Sequence, residues 1–125
     1  MGTQQRSKMV AIVDDDKSVR SVLQDLMEAE GLSARCFGSG EEFLESGEQH
    51  NAACLIADIR MPGMSGLELQ EKLNAEPCRI PIIFITAHGD SKMRMQAMRE
   101  GAVEFLTKPF DNGVLLEAVR AALDT

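Results

Sequence analysis

The feature that most constrains this chain is a set of short, nearly continuous apolar runs, at Met9–Val13, Cys54–Ala57 and residues 80–85, separated by stretches of helical periodicity. A strand with one wet face alternates apolar and polar residues. An unbroken apolar run instead suits a strand buried on both faces, the central strand of a parallel sheet covered by helices. Residues 32–37 and 103–106 carry more polar side chains and read as edge strands. Between the first two runs, Val19, Val22, Leu23, Leu26 and Met27 recur at helical spacing, and Gly31 stops the pattern. Ser39 and Glu42 form a capping-box pattern ahead of Phe43 and Leu44, which starts a short second helix. Further helices are expected at Gly66–Asn74, where Leu69 and Leu73 lie one turn apart, at 91–100 before Gly101, and at 114–123, where Leu115, Ala118, Val119 and Ala122 share a face. Strand followed by helix, five times over, implies right-handed crossovers and an α/β fold with an open, doubly wound, five-stranded parallel sheet. Ligand sites in such sheets lie at the carboxyl ends of the strands, near the topological switch point.

The 125 residues fit one domain, expected over residues 9–125 behind a flexible N-terminal segment at 1–8. Apolar residues make up 44% and charged residues 26%, the balance of a globular protein, and no apolar stretch approaches the roughly 20 residues of a membrane helix. The first eight residues are polar and contain no signal-peptide core, so a cytoplasmic location is expected. Cys36, Cys54 and Cys78 are odd in number and lack metal-ligand spacing, which fits reduced thiols. A net charge of −7 opposes the cationic neutralisation that drives nonspecific nucleic-acid binding, so neither nucleic acid nor membrane is an expected partner.

The polar residues that interrupt the apolar pattern fall where such a sheet places its site. Asp14, Asp15 and Asp16 follow the first strand, Asp58 the third, Thr86 ends the fourth and Lys108 follows the fifth. Clustered carboxylates repel one another unless a cation neutralises them, and an all-oxygen ligand set favours a hard ion such as Mg²⁺. Asp16 directly precedes a helix, so capping is its preferred reading, with tuning of metal affinity the alternative. Lys108 offers a point charge for the acidic cluster at rest and for a phosphoryl group afterwards, and the bond to Pro109 is a candidate cis peptide. Thr86 taken singly is a β-branched residue ending a strand, and its weight comes from the constellation.

These residues carry a resemblance that covers nearly the whole chain. Ile12-Val13-Asp14-Asp15, the run Leu-Ile-Ala-Asp-Ile-Arg-Met-Pro-Gly-Met-Ser-Gly at 55–66, Ile85-Thr86-Ala87-His88 and Phe105-Leu106-Thr107-Lys108-Pro109-Phe110, in that order, resemble the response-regulator receiver family of bacterial two-component systems. The resemblance implies a flavodoxin-like sheet of order 2-1-3-4-5 and a phosphoryl group accepted on Asp58 from a sensor histidine kinase or a small phosphodonor. It implies that Asp15 and Asp58 ligate Mg²⁺ with the backbone carbonyl of Arg60, while Asp14 acts largely through bound water. Thr86 and Lys108 are then expected to bind the phosphoryl oxygens, and Phe105 to be the aromatic switch that turns inward when Thr86 moves. The fourth helix, fifth strand and fifth helix become the two-state element, with a phosphorylation-dependent homodimer through that surface. Met93, Met95 and Met98 do not share one narrow arc, so at least one is expected to face solvent or a partner.

The segments Phe37-Gly38-Ser39-Gly40-Glu41-Glu42-Phe43-Leu44 and Ala87-His88-Gly89-Asp90 are also similar to receivers of the nitrogen-fixation regulator type, which carry a LuxR-type output domain; such a transcription-regulating domain is expected beyond Thr125. On this reading the chain is a switch rather than an enzyme. Two other classes share parts of this pattern. A haloacid-dehalogenase-type phosphatase also uses Asp, Mg²⁺, Thr or Ser and Lys, and Asp14 and Asp16 give its DxD spacing, but Ser18 stands where its motif has Thr or Val and no acidic pair follows the lysine. A flavin module is disfavoured by an acidic mouth and by the absence of Trp and Tyr. Phe105 lacks the phenolic hydroxyl of a tyrosine, and neither His50 nor His88 is assigned a role.

Overall fold

The computed structural model describes residues 9–76, 80–87 and 89–124; the flexible segment expected at 1–8, and Cys78 and His88, lie outside the described residues. Five strands, β1 (Met9–Val13), β2 (Ser33–Phe37), β3 (Cys54–Ala57), β4 (Ile82–Thr86) and β5 (Glu104–Thr107), form one parallel sheet of order β2-β1-β3-β4-β5. Between and after them run α1 (Lys17–Ala29), α2 (Gly40–Ser46), α3 (Gly66–Asn74), α4 (Ser91–Arg99) and α5 (Asn112–Leu123), with a single 3₁₀ turn at Glu48–His50. β1, β3 and β4 are buried along their whole length, as unbroken apolar runs require, and β2 and β5 are the edges.

The two faces of the sheet bury separate cores. On one, Leu55, Ala57, Phe84 and Phe105 pack with Phe43, Leu69, Leu73 and Ala97 from α2, α3 and α4. On the other, Val10, Ile12, Ile56 and Ile83 pack with Leu23 and Met27 of α1 and Leu115, Val119 and Ala122 of α5. Successive side chains of a strand point to opposite faces, so each central strand feeds both cores.

The boundaries differ from the sequence reading in ways that have local causes. β4 begins at Ile82 rather than at residue 80, because Pro81 has no N–H to donate, although its carbonyl still accepts from the Leu55 amide at 2.9 Å. Val22 lies on the outer side of α1, away from Leu23 and Met27. Half of the capping box expected at α2 forms: Ser39 Oγ accepts from the Glu42 amide, but the Glu42 carboxylate accepts from Gly38 rather than from Ser39. The complete box stands at α3, where Ser65 and Glu68 cap one another.

Candidate functional site

The sheet register itself gathers the acidic residues. Val13 is paired with Ala57, and the β1 to β3 ladder continues one step through the Asp58 amide, which donates to the Val13 carbonyl at 3.1 Å. Asp14 and Asp58 therefore leave adjacent strands side by side. Across the sheet, Thr86 pairs with Thr107, and the Lys108 amide donates to the Thr86 carbonyl at 2.9 Å. The Lys108–Pro109 peptide is cis.

Each acid has a defined environment. Asp14 is buried, with Oδ1 accepting from the Asp16 amide at 2.9 Å and its main-chain carbonyl accepting from the Arg20 guanidinium at 2.7 Å. Asp16 does what its position before the helix suggests: its carboxylate accepts from the Ser18 and Val19 amides at the start of α1. Asp58 is buried and accepts from the Arg60 amide at 3.2 Å, while Asp15 is exposed. Ligand oxygens of Asp14, Asp15 and Asp58 all lie within 4.8 Å of one another.

Lys108 closes the site. Its Nζ lies 3.0 Å from Asp58 Oδ2 and 3.2 Å from Asp14 Oδ2, one ammonium shared by two buried carboxylates. Burial pushes the Asp14 carboxyl above the ordinary carboxylate range and the Asp58 charge adds to it, while the Asp16 amide and Lys108 oppose the shift. For Lys108, burial acts to lower the ammonium pKa, but hydrogen bonding to Asp58 and the charges of both carboxylates outweigh it and leave it raised. Three carboxylates thus face one ammonium, and a hard divalent cation held by oxygen ligands suits the charge left over.

The chain around Asp58 is fixed by contact. The Gly66 amide donates to the Ile59 carbonyl at 2.8 Å, and a Cβ at Gly66 would stand 2.2 Å from the Asp58 carbonyl oxygen, so α3 starts directly against the backbone of Asp58. On the other side of the site, Thr86 is fully buried and the Phe105 ring points inward, with its centroid 6.4 Å from that of Phe84. That ring fills the space beneath Gly89, where a Cβ would meet it at 2.6 Å and Thr86 Cγ2 at 2.9 Å.

The structure therefore brings together Asp14, Asp15, Asp58 and Lys108, with Thr86 and Arg60 on the adjoining backbone and Phe105 packed close to Thr86. Sequence reasoning passed over Arg20, which holds the Asp14 carbonyl, and placed Gly66 and Gly89 in motif runs without the close approaches they allow. It also passed over Gln70, although Gln70 stands one residue from Leu69 and one turn before Asn74 on the face that carries Leu69 and Leu73.

The fold and the site together define a doubly wound α/β domain with an acidic cluster and a lysine at the carboxyl ends of its strands, and comparison gives its family. The chain belongs to the response regulator receiver domain family, matching it over residues 10–120. It is 47% identical to response regulator protein TodT of Pseudomonas putida over 118 residues, which are 94% of this chain and 52% of TodT. It is 43% identical to the transcriptional regulatory protein FixJ of Azorhizobium caulinodans over 114 residues, 91% of this chain and 54% of that protein. The crystal structure of FixJ-N superposes with a TM-score of 0.85 at 39% identity, covering 98% of this chain and 96% of FixJ-N. The chain spans about half the length of the curated relatives it matches. It is a receiver domain of the two-component type, a signalling switch rather than a classical enzyme, in a family whose response regulators are phosphorylated by sensor histidine kinases. Among the described residues no helix is long and apolar enough to cross a membrane.

Proposed function

We propose that Asp58 is the phosphoacceptor of this receiver and that its modification, assisted by Mg²⁺, switches the surface formed by α4, β5 and α5. The observation that carries this reading is Lys108 Nζ bridging Asp58 and Asp14 at 3.0 and 3.2 Å, with Asp15 beside them. Asp15, Asp58 and the Arg60 carbonyl are the proposed ligands of the ion, with Asp14 acting through water. When bound, Mg²⁺ screens the charge of the incoming phosphoryl oxygens and helps orient them.

The remaining steps belong to the chain. An Asp58 carboxylate oxygen attacks the phosphorus of a phosphohistidine; the P–N bond breaks as the new P–O bond forms, and the imidazole leaves. Such transfers depend on in-line positioning and charge stabilisation more than on covalent help. Lys108 holds the Asp58 carboxylate in place through its 3.0 Å contact, then takes the new phosphoryl oxygens as a point charge. The Thr86 hydroxyl is the second phosphoryl ligand, and its movement is read by Phe105. A cognate sensor histidine kinase, a phosphorylation-dependent homodimer, a cytoplasmic location and a transcription-regulating output domain complete the reading. It draws on the family and on the regulators TodT and FixJ that the chain resembles.

The test is labelling by a small phosphodonor. Acetyl phosphate with Mg²⁺ should add one phosphoryl group, labile to hydroxylamine as an acyl phosphate is, and chelation with EDTA should suppress it. Asp15→Asn should raise the Mg²⁺ concentration needed by about tenfold or more, because a carboxylate ligand is lost without change of size. Labelling that is indifferent to EDTA, or a hydroxylamine-stable adduct, would contradict the proposal.

A further inference from the structure

α4 is fastened at both ends by side chains that no part of the site uses. From α3, the buried Gln70 donates through Nε2 to the Ala97 carbonyl at 3.0 Å, and Asn74, one turn on, donates to the Glu100 carbonyl at 2.9 Å. The last carbonyls of a helix lack the usual intrahelical donors; here Asn74 supplies one to Glu100, and Gln70 adds a second donor to the Ala97 carbonyl, which also accepts from the Ala102 amide at 3.0 Å. Arg94, nearer the start of α4, reaches the other way and donates to the Phe105 carbonyl at 3.0 Å.

The Phe105 contact gains its meaning from where β5 lies. β5 is an edge strand, so alternate backbone groups face away from β4 with no ladder partner. Side chains take both outward groups of Phe105: Arg94 binds the carbonyl, and the Glu104 carboxylate accepts from the amide at 3.1 Å. The residue whose ring packs beside Thr86 thus has its backbone tied to α4.

We propose that Gln70 and Arg94 are positioning residues of the switch, fastening α4 between α3 and the backbone of Phe105 and so setting how freely α4 and β5 change conformation together. This rests on the assignment of α4, β5 and α5 as the responding surface. It adds a route that does not pass through Thr86: α3 begins against the Asp58 backbone at Gly66, runs to Gln70, and through α4 and Arg94 reaches Phe105. Any alternative arrangement of α4 must satisfy the buried Gln70 amide and the Phe105 carbonyl elsewhere, so these contacts weigh on the balance between two arrangements.

The experiment is backbone-amide relaxation dispersion on the full chain with no phosphodonor present. Gln70→Met and Arg94→Met keep side-chain length and remove the donors. Losing one hydrogen bond of ordinary net strength shifts a two-state population roughly fivefold, so exchange at the amides of α4 and at Phe105 should rise while α1 stays as it was. Arg94 is exposed, so its variant tests the proposal even if Gln70→Met folds poorly. Val119→Ala, in the opposite core, gives the pattern of general destabilisation for reference. Exchange in α4 and Phe105 unchanged from the native chain, or raised evenly as in Val119→Ala, would overturn the proposal. Because no phosphoryl group is involved, failure of acetyl phosphate labelling would count against Asp58 as acceptor and not against this fastening of α4.

Discussion

Asp14 shows how a single side chain combines stability cost with function. Its carboxyl is raised above 3.8, chiefly by burial, so this group favours folding most at acid pH and loses that contribution as pH rises through its folded-state pKa. Asp14→Asn removes the penalty. The variant should melt higher than the native chain at neutral pH without Mg²⁺, with the difference growing from about pH 4 upward, where an ordinary carboxyl ionises. Thermal melts across that range check it, and a difference that shrinks with rising pH would contradict the burial argument. Cys54 gives a simpler case: burial pushes its thiol up to about 12, so alkylating reagents should leave it unmodified in the native chain and label it on unfolding. Gly66→Ala drives a Cβ into the Asp58 carbonyl, and rigid backbone cannot yield as a side chain can. It should cost at least the ~1–3 kcal/mol of an overpacked core in urea denaturation and should impair labelling. Asp14, Asp58 and Lys108 were legible as residues because charges at the ends of apolar strands stand out. Gly66 and Gly89 were not, since a close approach between distant segments leaves no local pattern.

At the level of elements, the apolar runs of β1, β3 and β4 announced central strands because both their faces are covered. β5 was displaced by one residue, from 103–106 to Glu104–Thr107, since an edge strand carries a weaker apolar signal. α4 is the element whose role was least visible. Its methionines divide as the broken arc suggested: Met93 packs against the core, while Met95 is 59% and Met98 37% exposed, and Val114 at the start of α5 is 43% exposed. What sequence could not show is that α4 hangs from Gln70, Asn74 and Phe105, because each tie joins a side chain to a backbone group far away in the chain. Met95 and Met98 offer adaptable apolar contacts to the α4 to α5 face proposed for dimerisation. With Mg²⁺ and a beryllofluoride mimic bound, light scattering should show mass rising towards a dimer, and Met95→Lys should weaken the association. An unchanged mass at high concentration with the mimic bound would remove this surface from the proposal.

For the whole molecule, a five-stranded sheet of order β2-β1-β3-β4-β5 concentrates at one edge groups that are separated by as many as 94 residues, the distance from Asp14 to Lys108 along the chain. That concentration makes the central claim testable at one atom. The phosphatase alternative places the phosphoryl group on Asp14, whereas the receiver reading places it on Asp58, facing Lys108 with Thr86 close by. Intact-protein mass spectrometry after acetyl phosphate and Mg²⁺ treatment of the native chain, Asp58→Asn and Asp14→Asn distinguishes them directly. The account predicts a phosphoryl adduct on the native chain and none on Asp58→Asn, because an amide is a poor nucleophile. An adduct that persists in Asp58→Asn and vanishes in Asp14→Asn would contradict it.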